Sequence, residues 1–395
     1  MTTPSPDDGQ LAIRRWLLAA AFIGAGQQLF VALRNLHLRA LGVDLRTIAQ
    51  VQAAGGAAGL LAGMIGLWAL PRRPARDLLV GGVTMNAVGF AIQAGSDSPG
   101  AFVGGAAVAG FGIQFVTMAA APFLADAAGR SDAVRVFGLQ ALWIQSVPAA
   151  LGALLGGIVY REASELPGGA PHNGALALLL GGVLVGCGAL LATRVPARPA
   201  VHPRGGPLLR LDCPRAVVAL LAPDVLVTAA VGLSAPFLPL YLQHRGFAPD
   251  VVARTAAVAL LLAGLLQLLA PGLVRRAGSR APLATAHLAL GGAVLAMGLD
   301  FAVGLCLAAL AVFRQAVTSA SAPVYSALLH TRTNAADSAA VAAWRMLAQS
   351  LVWPLANVAA GALMAAPHGF TRWLAACAGL HLSAAIAMRV CLPRG

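Results

Sequence analysis

Long apolar stretches fill this sequence, and its second half repeats its first. The ten residues from Ile113 read IQFVTMAAAP and the ten from Arg314 read RQAVTSASAP, so six agree at an offset of 201. Internal repetition of apolar segments is typical of membrane proteins built from two related bundles. Further identities, at an offset of 204, pair Leu36 with Leu240, Leu38 with Leu242, Gly42 with Gly246, Arg72 with Arg276 and Arg76 with Arg280.

The composition agrees with a chain that lies mostly in lipid. Hydrophobic residues make up 59% of the 395 residues and charged residues only 10%, whereas a soluble domain carries about 25% charged residues. A helix that crosses a bilayer needs about 20 apolar residues. We therefore predict an all-α integral membrane protein with twelve spans. They lie at residues 12–40, 46–70, 77–95, 100–127, 133–160, 173–194, 216–243, 250–274, 281–299, 301–329, 337–366 and 370–391.

The repeat divides these spans into two equal halves. We predict an N-terminal six-helix bundle over residues 1–194 and a C-terminal six-helix bundle over 216–395, related by the parallel repeat. Between them, residues 195–215 are rich in proline, glycine and arginine, which is typical of a linker without a core of its own.

The distribution of arginine predicts the orientation in the membrane. All 27 basic residues are arginine. With both termini in the cytoplasm, 18 arginines fall on the inner side and 7 on the outer side, while Arg314 and Arg345 fall inside spans. This bias follows the positive-inside rule. It also accounts for the formal net charge of +13 without a nucleic-acid partner.

Several function classes find no support in the sequence. Without lysine the chain cannot carry the nucleotide-binding G-x-x-x-x-G-K-[ST] loop, and neither G-x-S-x-G nor H-E-x-x-H occurs. We therefore expect no enzyme and no cofactor. The five cysteines have no metal-ligand spacing, so we expect neither a metal site nor a disulfide. They are Cys187, Cys213, Cys306, Cys377 and Cys391.

Two loops carry a recognisable signature. Residues 275–280, after span 8, read RRAGSR, and the loop after span 2 keeps Arg72 and Arg76. With the twelve spans, the repeated halves and the linker, these residues give nearly the whole chain a resemblance to the major facilitator superfamily. The signature of that family runs roughly G-x-x-x-D-R-x-G-R-R. The second copy here has arginine in place of the acid, and the first copy has proline.

The resemblance implies an inner gate built from charged residues near these loops. The family tends to carry an acid at the end of helix 4 and an arginine at the start of helix 5. We assign the gate to Arg72, Arg76, Asp126, Arg135, Arg276 and Arg280.

Residues 152–157, on span 5, read GALLGG. They are similar to the glycine-rich antiporter motif of drug exporters, with alanine in place of its proline, and so hint at export. The alternative interpretation is that these glycines only allow close helix packing.

A charged residue lies near the middle of predicted span 10. A charge at mid-bilayer costs roughly 2.5–3.5 kcal/mol on insertion scales, so Arg314 is a functional candidate. Thr318, Ser321 and Tyr325 follow at positions that share its face on a helix. The resemblance implies that spans 1, 4, 7 and 10 line a substrate cavity. We predict that these four side chains bind the substrate.

Polar residues on spans 1, 4 and 11 extend this predicted substrate site. Arg34 is the least certain in position, because it can also snorkel to the outer surface. Arg345 lies in the inner third of span 11 and can pair with span 10 or with a lipid phosphate. The added set is Gln27, Arg34, Gln114, Thr117, Arg345 and Gln349.

Asp224 is the only acid that we place inside a span. The repeat aligns it with Ala20, well inside span 1. Two interpretations stay open: a helix cap beside Pro223 at the membrane face, or a carboxylate that carries a coupling proton. For His287 and His381 we favour packing over a proton relay, because the resemblance places spans 9 and 12 where they face lipid or support the bundle.

Together these features predict a secondary transporter that works by alternating access in a bacterial inner membrane, as a monomer. Three intramembrane arginines against one acid favour an anionic or strongly hydrogen-bonding substrate. The leading hypothesis is proton-coupled export of an anionic or polar metabolite or drug. The alternatives are an importer or uniporter of a neutral polar solute, and a lysolipid flippase. The expected partners are the small-molecule substrate, the lipid bilayer and protons.

Overall fold

The computed structural model describes residues 6–70, 72–164, 170–196, 214–278, 280–299, 304–332 and 338–392. Within these ranges the regular secondary structure is helical. The helices are α1 (Pro6–Ala40), α2 (Leu45–Ala69), α3 (Ala75–Ala94), α4 (Pro99–Ala141), a π-helical segment (Leu142–Ser146), α5 (Val147–Ser164), α6 (Ala170–Ala192), α7 (Pro214–Ser234), α8 (Leu238–His244), α9 (Pro249–Ala277), α10 (Arg280–Met297), α11 (Gly304–Arg332), α12 (Ser338–Met364) and α13 (Gly369–Cys391).

The predicted membrane fold is confirmed. Eleven spans in the described part of the chain are long and apolar enough to cross a bilayer. Helix α10 occupies the remaining predicted span at 281–299 and is not among the eleven. It begins with Arg280 and contains His287, and both residues lower its mean hydropathy.

Two compact units make up the chain. One contains Met1–Gly42 and Ala54–Arg204, and the other contains Val43–Ala53 and Gly205–Gly395. The first turns of α2 therefore belong with the second unit, an assignment that the sequence does not predict. The predicted bundle boundaries at 194 and 216 remain predictions.

The repeat is visible in the backbone as well as in the sequence. Gly42 and Gly246, which the 204-residue offset aligns, have φ angles of 79° and 86°. Their amides donate equivalent hydrogen bonds, to the Arg39 carbonyl at 3.0 Å and to the Gln243 carbonyl at 2.9 Å. A positive φ favours glycine because a side chain there meets the backbone. The shared glycines thus mark the same turn in both units.

Asp44 caps the start of α2. Its carboxylate accepts hydrogen bonds from the amides of Arg46 (2.8 Å) and Thr47 (3.1 Å) and from the Thr47 hydroxyl (2.6 Å). The Thr47 hydroxyl and amide lower the pKa of Asp44. Because this pKa is lower in the folded state than in the unfolded chain, the cap stabilises α2 at neutral pH. The stabilisation is lost as the pH falls through the lowered pKa.

The prediction of one continuous helix over 216–243 is wrong. Helix α7 ends at Ser234, and a three-residue turn separates it from α8. Pro236 causes the break because it has no N–H and its ring clashes with the preceding helical turn. The Phe237 amide bonds to the Ser234 carbonyl instead, at 3.2 Å. The Leu233 carbonyl thereby loses its usual helical partner.

The loop predicted at 128–132 is also wrong. The backbone is helical from Pro99 to Ala141 and continues into the π-helical segment. No proline lies between Pro122 and Pro148, so no residue in that interval removes a backbone donor or blocks the helix. Pro148 follows the π-helical segment, one residue into α5.

Glycines let helices of the first unit approach one another closely. A Cβ atom on Gly152 of α5 would overlap the backbone of Ala25 in α1. A Cβ on Gly110 of α4 would likewise overlap the backbone of Gly55 in α2. The packing interpretation of the glycine-rich segment 152–157 therefore has direct structural support.

Replacing Gly152 with valine should destabilise the protein by about 1–3 kcal/mol, because the new side chain must push α1 and α5 apart. Gly186→Ala on α6 is the control, since a Cβ there has no atom within 4 Å. Thermal unfolding of the purified variants in detergent measures both changes. Equal stability of the two variants would contradict the close-packing assignment.

Candidate functional site

An ion pair between α7 and α12 is the central polar feature of the second unit. Arg345 Nε donates to Asp224 Oδ2 at 3.0 Å, and Arg345 Nη2 donates to Asp224 Oδ1 at 3.0 Å. Gln349, one turn further along α12, donates from Nε2 to Asp224 Oδ2 at 2.9 Å. Two parallel charge-assisted bonds form the strongest common arrangement of arginine and carboxylate.

Asp224 lies inside α7 rather than at its start. The helix begins at Pro214, ten residues earlier, so the helix-cap interpretation of Asp224 is wrong. The residue is 5% exposed, and its carboxylate is held by side chains from α12. The alternative role, transfer of a coupling proton, stays a proposal.

Tyr325 of α11 completes this cluster. Its hydroxyl donates to the Leu220 carbonyl of α7. The guanidinium of Arg345 lies over the tyrosine ring, with Cζ 5.8 Å from the ring centroid, which is a cation–π distance. Helices α7, α11 and α12 are thus joined at one place. The sequence predicts each of these residues as functional, apart from Leu220, but not their contacts.

Arg314 is buried without a carboxylate. The residue is 1% exposed; its Nη2 donates to Ser234 Oγ at 2.6 Å and its Nη1 to Gln315 Oε1 at 3.1 Å. Its Nε has no hydrogen-bond partner in the part of the chain that the structure describes. Among the described residues, no acid lies within ion-pair distance of Arg314. Arg345 is therefore neutralised inside the protein, whereas Arg314 is held by neutral groups.

The break between α7 and α8 places the serine that holds Arg314. Ser234 is the last residue of α7, and its hydroxyl donates to the Ala230 carbonyl at 2.6 Å, so its oxygen is free to accept from Arg314. Trp373 of α13 donates from Nε1 to the Leu233 carbonyl at 2.6 Å. The indole thus replaces the backbone bond that the break removes.

Three hydroxyls of the predicted substrate set bond within their own helices. Thr318 donates to the Arg314 carbonyl at 2.7 Å, and Ser321 donates to the Thr318 carbonyl at 2.9 Å. Thr117 of α4 donates to the Ile113 carbonyl at 2.9 Å. Thr318 and Ser321 are buried, whereas Thr117 is exposed. Each hydroxyl oxygen retains acceptor capacity for a ligand.

In the first unit, the predicted substrate residues of α1 bind side chains of α3. Gln27 Nε2 donates to Asn86 Oδ1 at 3.3 Å, and Arg34 Nη1 donates to Gln93 Oε1 at 3.4 Å. Arg34 is only 7% exposed, so it lies in the protein rather than extending into water. Gln114 of α4 is half-buried. The two contacts lie seven residues, about two turns, apart on both α1 and α3.

Crystal structures of several transporters share this architecture. The inward-open xylose transporter XylE from E. coli has a TM-score of 0.76 at 15% identity over 97% of both chains. The nucleoside transporter NupG has 0.71 at 14% identity, over 97% of this chain and 100% of that one. A bacterial homologue of the lysosomal transporter Spinster, inward-facing and occupied, has 0.73 at 13% identity over 98% and 96%.

This chain has the major facilitator superfamily fold. Searches by sequence found neither a family model nor a curated protein that matches it. Because the sequence identities to the solved structures are low, the likeness shows a shared fold.

Two of the arginines predicted to form the gate of this superfamily fold bind backbone carbonyls. Arg72 donates from Nη1 to the Trp68 carbonyl at 2.6 Å, and its Cζ lies 4.8 Å from the Trp68 ring centroid. Arg76 donates to the Thr193 carbonyl at 2.8 Å, just past the end of α6. A cation near a helix C-terminus is favourable because it complements the helix dipole.

The other predicted gate residues have no described partner of this kind. Arg276 is exposed near the end of α9, and Arg280 is half-buried at the start of α10. The side chains of Asp126 and Arg135 lie outside the described part of the structure. Within the described residues, no group of three His, Cys, Asp or Glu side chains is placed to hold a metal ion.

Breaking the Asp224–Arg345 pair on one side should be costly. Asp224→Asn should destabilise the protein by about 3–5 kcal/mol, because it leaves a mostly buried guanidinium without its counter-charge. The double variant Asp224→Asn with Arg345→Gln should recover much of this loss, since no charge remains buried. Chemical unfolding of the purified variants measures both effects.

Arg254→Gln is the matched control for this pair. Arg254 forms an ion pair with Asp250 on the same helix, but its side chain is 60% exposed, so its loss should cost no more than about 1 kcal/mol. A double variant that is less stable than Asp224→Asn alone would show that the ion pair itself stabilises the fold.

Proposed function

We propose that this protein is a secondary active transporter that moves a small organic solute across a bacterial inner membrane by alternating access. The fold supports this proposal, because the solved structures that share it are transporters. The positive-inside bias supports cytoplasmic termini. The expected working form is a monomer in the lipid bilayer.

Arg314 is the observation that carries the choice of substrate. A buried guanidinium without a carboxylate is costly, so it is retained where a ligand supplies the missing charge. Its unpartnered Nε and the planar fork of its guanidinium suit a carboxylate or phosphate group. We therefore propose an anionic or strongly hydrogen-bonding metabolite or drug as the substrate, bound at Arg314 with help from Thr318, Ser321 and Gln315.

Asp224 is the proposed coupling carboxylate. As an anion it binds Arg345 and Gln349 by three hydrogen bonds. A protonated Asp224 would lose the charge that holds Arg345, so proton binding and release of Arg345 would be linked. This gives a proton a direct effect on the contact between α7 and α12.

Export is the proposed direction, and it has the weakest support. It rests on the similarity of segment 152–157 to the motif of drug exporters, while close packing already accounts for Gly152. The lysolipid alternative loses support, because Arg34 binds Gln93 and Arg345 binds Asp224.

A neutral polar solute is the second candidate. XylE and NupG carry xylose and nucleosides, which are uncharged, on the same fold. In this case Arg314 and Asp224 would serve the protein structure, and uptake or uniport would be the expected mode. The stability of variants at Arg314 separates the two candidates.

Arg314→Met should leave the substrate-free protein as stable as the wild type or more stable, by up to about 4 kcal/mol, because a buried uncompensated charge is removed. The same variant should lose stabilisation by organic anions. In the wild type, an anion at 100 times its Kd should add about 2.7 kcal/mol. A thermal-shift screen of carboxylates, phosphates, nucleosides, sugars and organic cations measures both properties.

Arg276→Met is the control, because Arg276 is exposed and its loss should leave the anion response intact. An unchanged anion response in Arg314→Met would remove Arg314 from the site. Stabilisation by sugars or nucleosides alone would favour the neutral-solute candidate.

Neutralising Asp224 should separate transport from proton coupling. In proteoliposomes, the double variant Asp224→Asn with Arg345→Gln should still exchange the anion that the screen identifies. It should not accumulate that anion when a pH gradient is applied, because the titrating carboxylate is absent. Accumulation equal to that of the wild type would contradict the role of Asp224.

A further inference from the structure

Two buried histidines meet in the second unit. His287 of α10 and His381 of α13 are 1% and 0% exposed. Their Nδ1 atoms are 3.2 Å apart, and the rings are inclined by 30° with centroids 5.4 Å apart. The sequence favours packing over a proton relay for these residues. The short distance between these nitrogens indicates a hydrogen bond between the rings, which packing alone does not explain.

The contact suits the binding of one proton. Two Nδ1 atoms at this distance form a hydrogen bond only when one carries hydrogen and the other presents its lone pair. If one ring becomes a cation, it donates a stronger, charge-assisted bond to the other ring. A second added proton would place two cations in contact inside the protein, which is strongly unfavourable. The pair therefore has capacity for a single additional proton.

One nitrogen of the pair has no partner among the described residues. His381 Nε2 is buried and makes no hydrogen bond to any of them, and a buried polar atom left in this state costs about 1–3 kcal/mol. A histidine retained only for packing could be replaced by an apolar residue without this cost. The unpartnered nitrogen thus favours a role in which the protonation of the ring matters.

Arg314 is the charged residue that acts on His381. Its guanidinium interacts electrostatically with His381 and with Cys377, which lies one turn before His381 on α13. The Cys377 thiol also interacts with the hydroxyl of Ser234, which binds Arg314.

From the described residues of α7, α9, α11 and α12, no other charged group acts on either histidine. Because like charges repel, the cationic guanidinium opposes a cation on the histidines. Burial itself opposes a cation on either histidine most, and the repulsion from Arg314 adds to this opposition at His381.

We propose that His287 and His381 form a binding site for one proton, and that an anion at Arg314 favours its occupation. The anion would offset the guanidinium charge and thereby remove the repulsion. Linkage makes the effect reciprocal, so a proton on the pair would tighten anion binding by the same factor. The anion part of this inference rests on the substrate site proposed above, whereas the proton site does not depend on it.

A proton on the pair also affects the charge of the loaded protein. A singly charged anion and the one proton on the pair together add no net charge to it. The pair would act in addition to Asp224, the proposed coupling carboxylate.

Nitrogen-15 NMR of histidine-labelled protein in lipid nanodiscs tests the site without any substrate. The signals of His287 and His381 among the eight histidines are assigned by His287→Gln and His381→Gln. The pair is then titrated from about pH 2.5 to pH 9, a range that extends well below the ordinary histidine value because burial disfavours the cation. Arg314→Gln should bind the proton at least about tenfold more tightly than the wild type, a shift of about one pH unit.

Arg314→Lys is the charge-conserving control and should titrate like the wild type. Equal midpoints in Arg314→Gln and the wild type would overturn the link to Arg314. If Arg314→Gln does not fold, His287→Phe provides the decisive variant with Arg314 in place. It removes the acceptor ring but keeps an aromatic side chain, so His381 should bind a proton at least about tenfold more weakly than in the wild type.

An unchanged titration of His381 in His287→Phe would overturn the shared proton site. These outcomes are distinct from a failure of the proposed substrate. The NMR titration contains no anion, and an anion screen that finds no effect of Arg314 leaves the titration of the pair unaffected.

Discussion

Inside a membrane, a polar group that lacks a partner in the protein has no water to bind, and this constraint explains most of the contacts described above. The helices satisfy most of the backbone internally. Where Pro236 prevents this, Trp373 binds the Leu233 carbonyl. The same requirement applies to charged side chains, and the two intramembrane arginines of the second unit meet it differently. Arg345 has a carboxylate of the protein, whereas Arg314 has only neutral partners.

This difference gives the two arginines different uses. A charge that is fully paired inside the protein gains little from a ligand, because binding would first have to break existing bonds. A charge that is solvated only by a serine and a glutamine can gain a great deal. The arrangement at Arg314 therefore has the character of a prepared but incomplete site. Arg314 also acts electrostatically on His381, a second group whose charge can change.

Much of the fold could be predicted from the sequence, because apolar stretches of sufficient length have few alternatives to membrane helices. The shared glycines at 42 and 246 even identify one turn in both halves. The differences from the prediction arise from local backbone chemistry. Pro236 breaks one predicted span, and the lack of proline between residues 122 and 148 allows one continuous helix where the apolar pattern predicts two.

The candidate site was less predictable than the fold. Composition identified Asp224, Arg314 and Arg345, because charges are rare in spans. Their partners depend on the rotation and depth of helices far apart in sequence, which apolar patterns do not encode. The pairing of Asp224 with Arg345 joins residues 121 positions apart. The contact between His287 and His381 had no sequence signal beyond the presence of two histidines.

The indole bond at the α7 break also bears on how this protein can change through evolution. Pro236 lies in the turn after α7 and Trp373 lies on α13, yet the tryptophan compensates for the break that the proline causes. Without the proline, the Leu233 carbonyl could accept from both the Phe237 amide and the indole, because it has two lone pairs. Without the tryptophan, the break would expose a carbonyl to an apolar interior. The dependence therefore runs one way, and we expect lineages that lose the tryptophan to have replaced the proline as well.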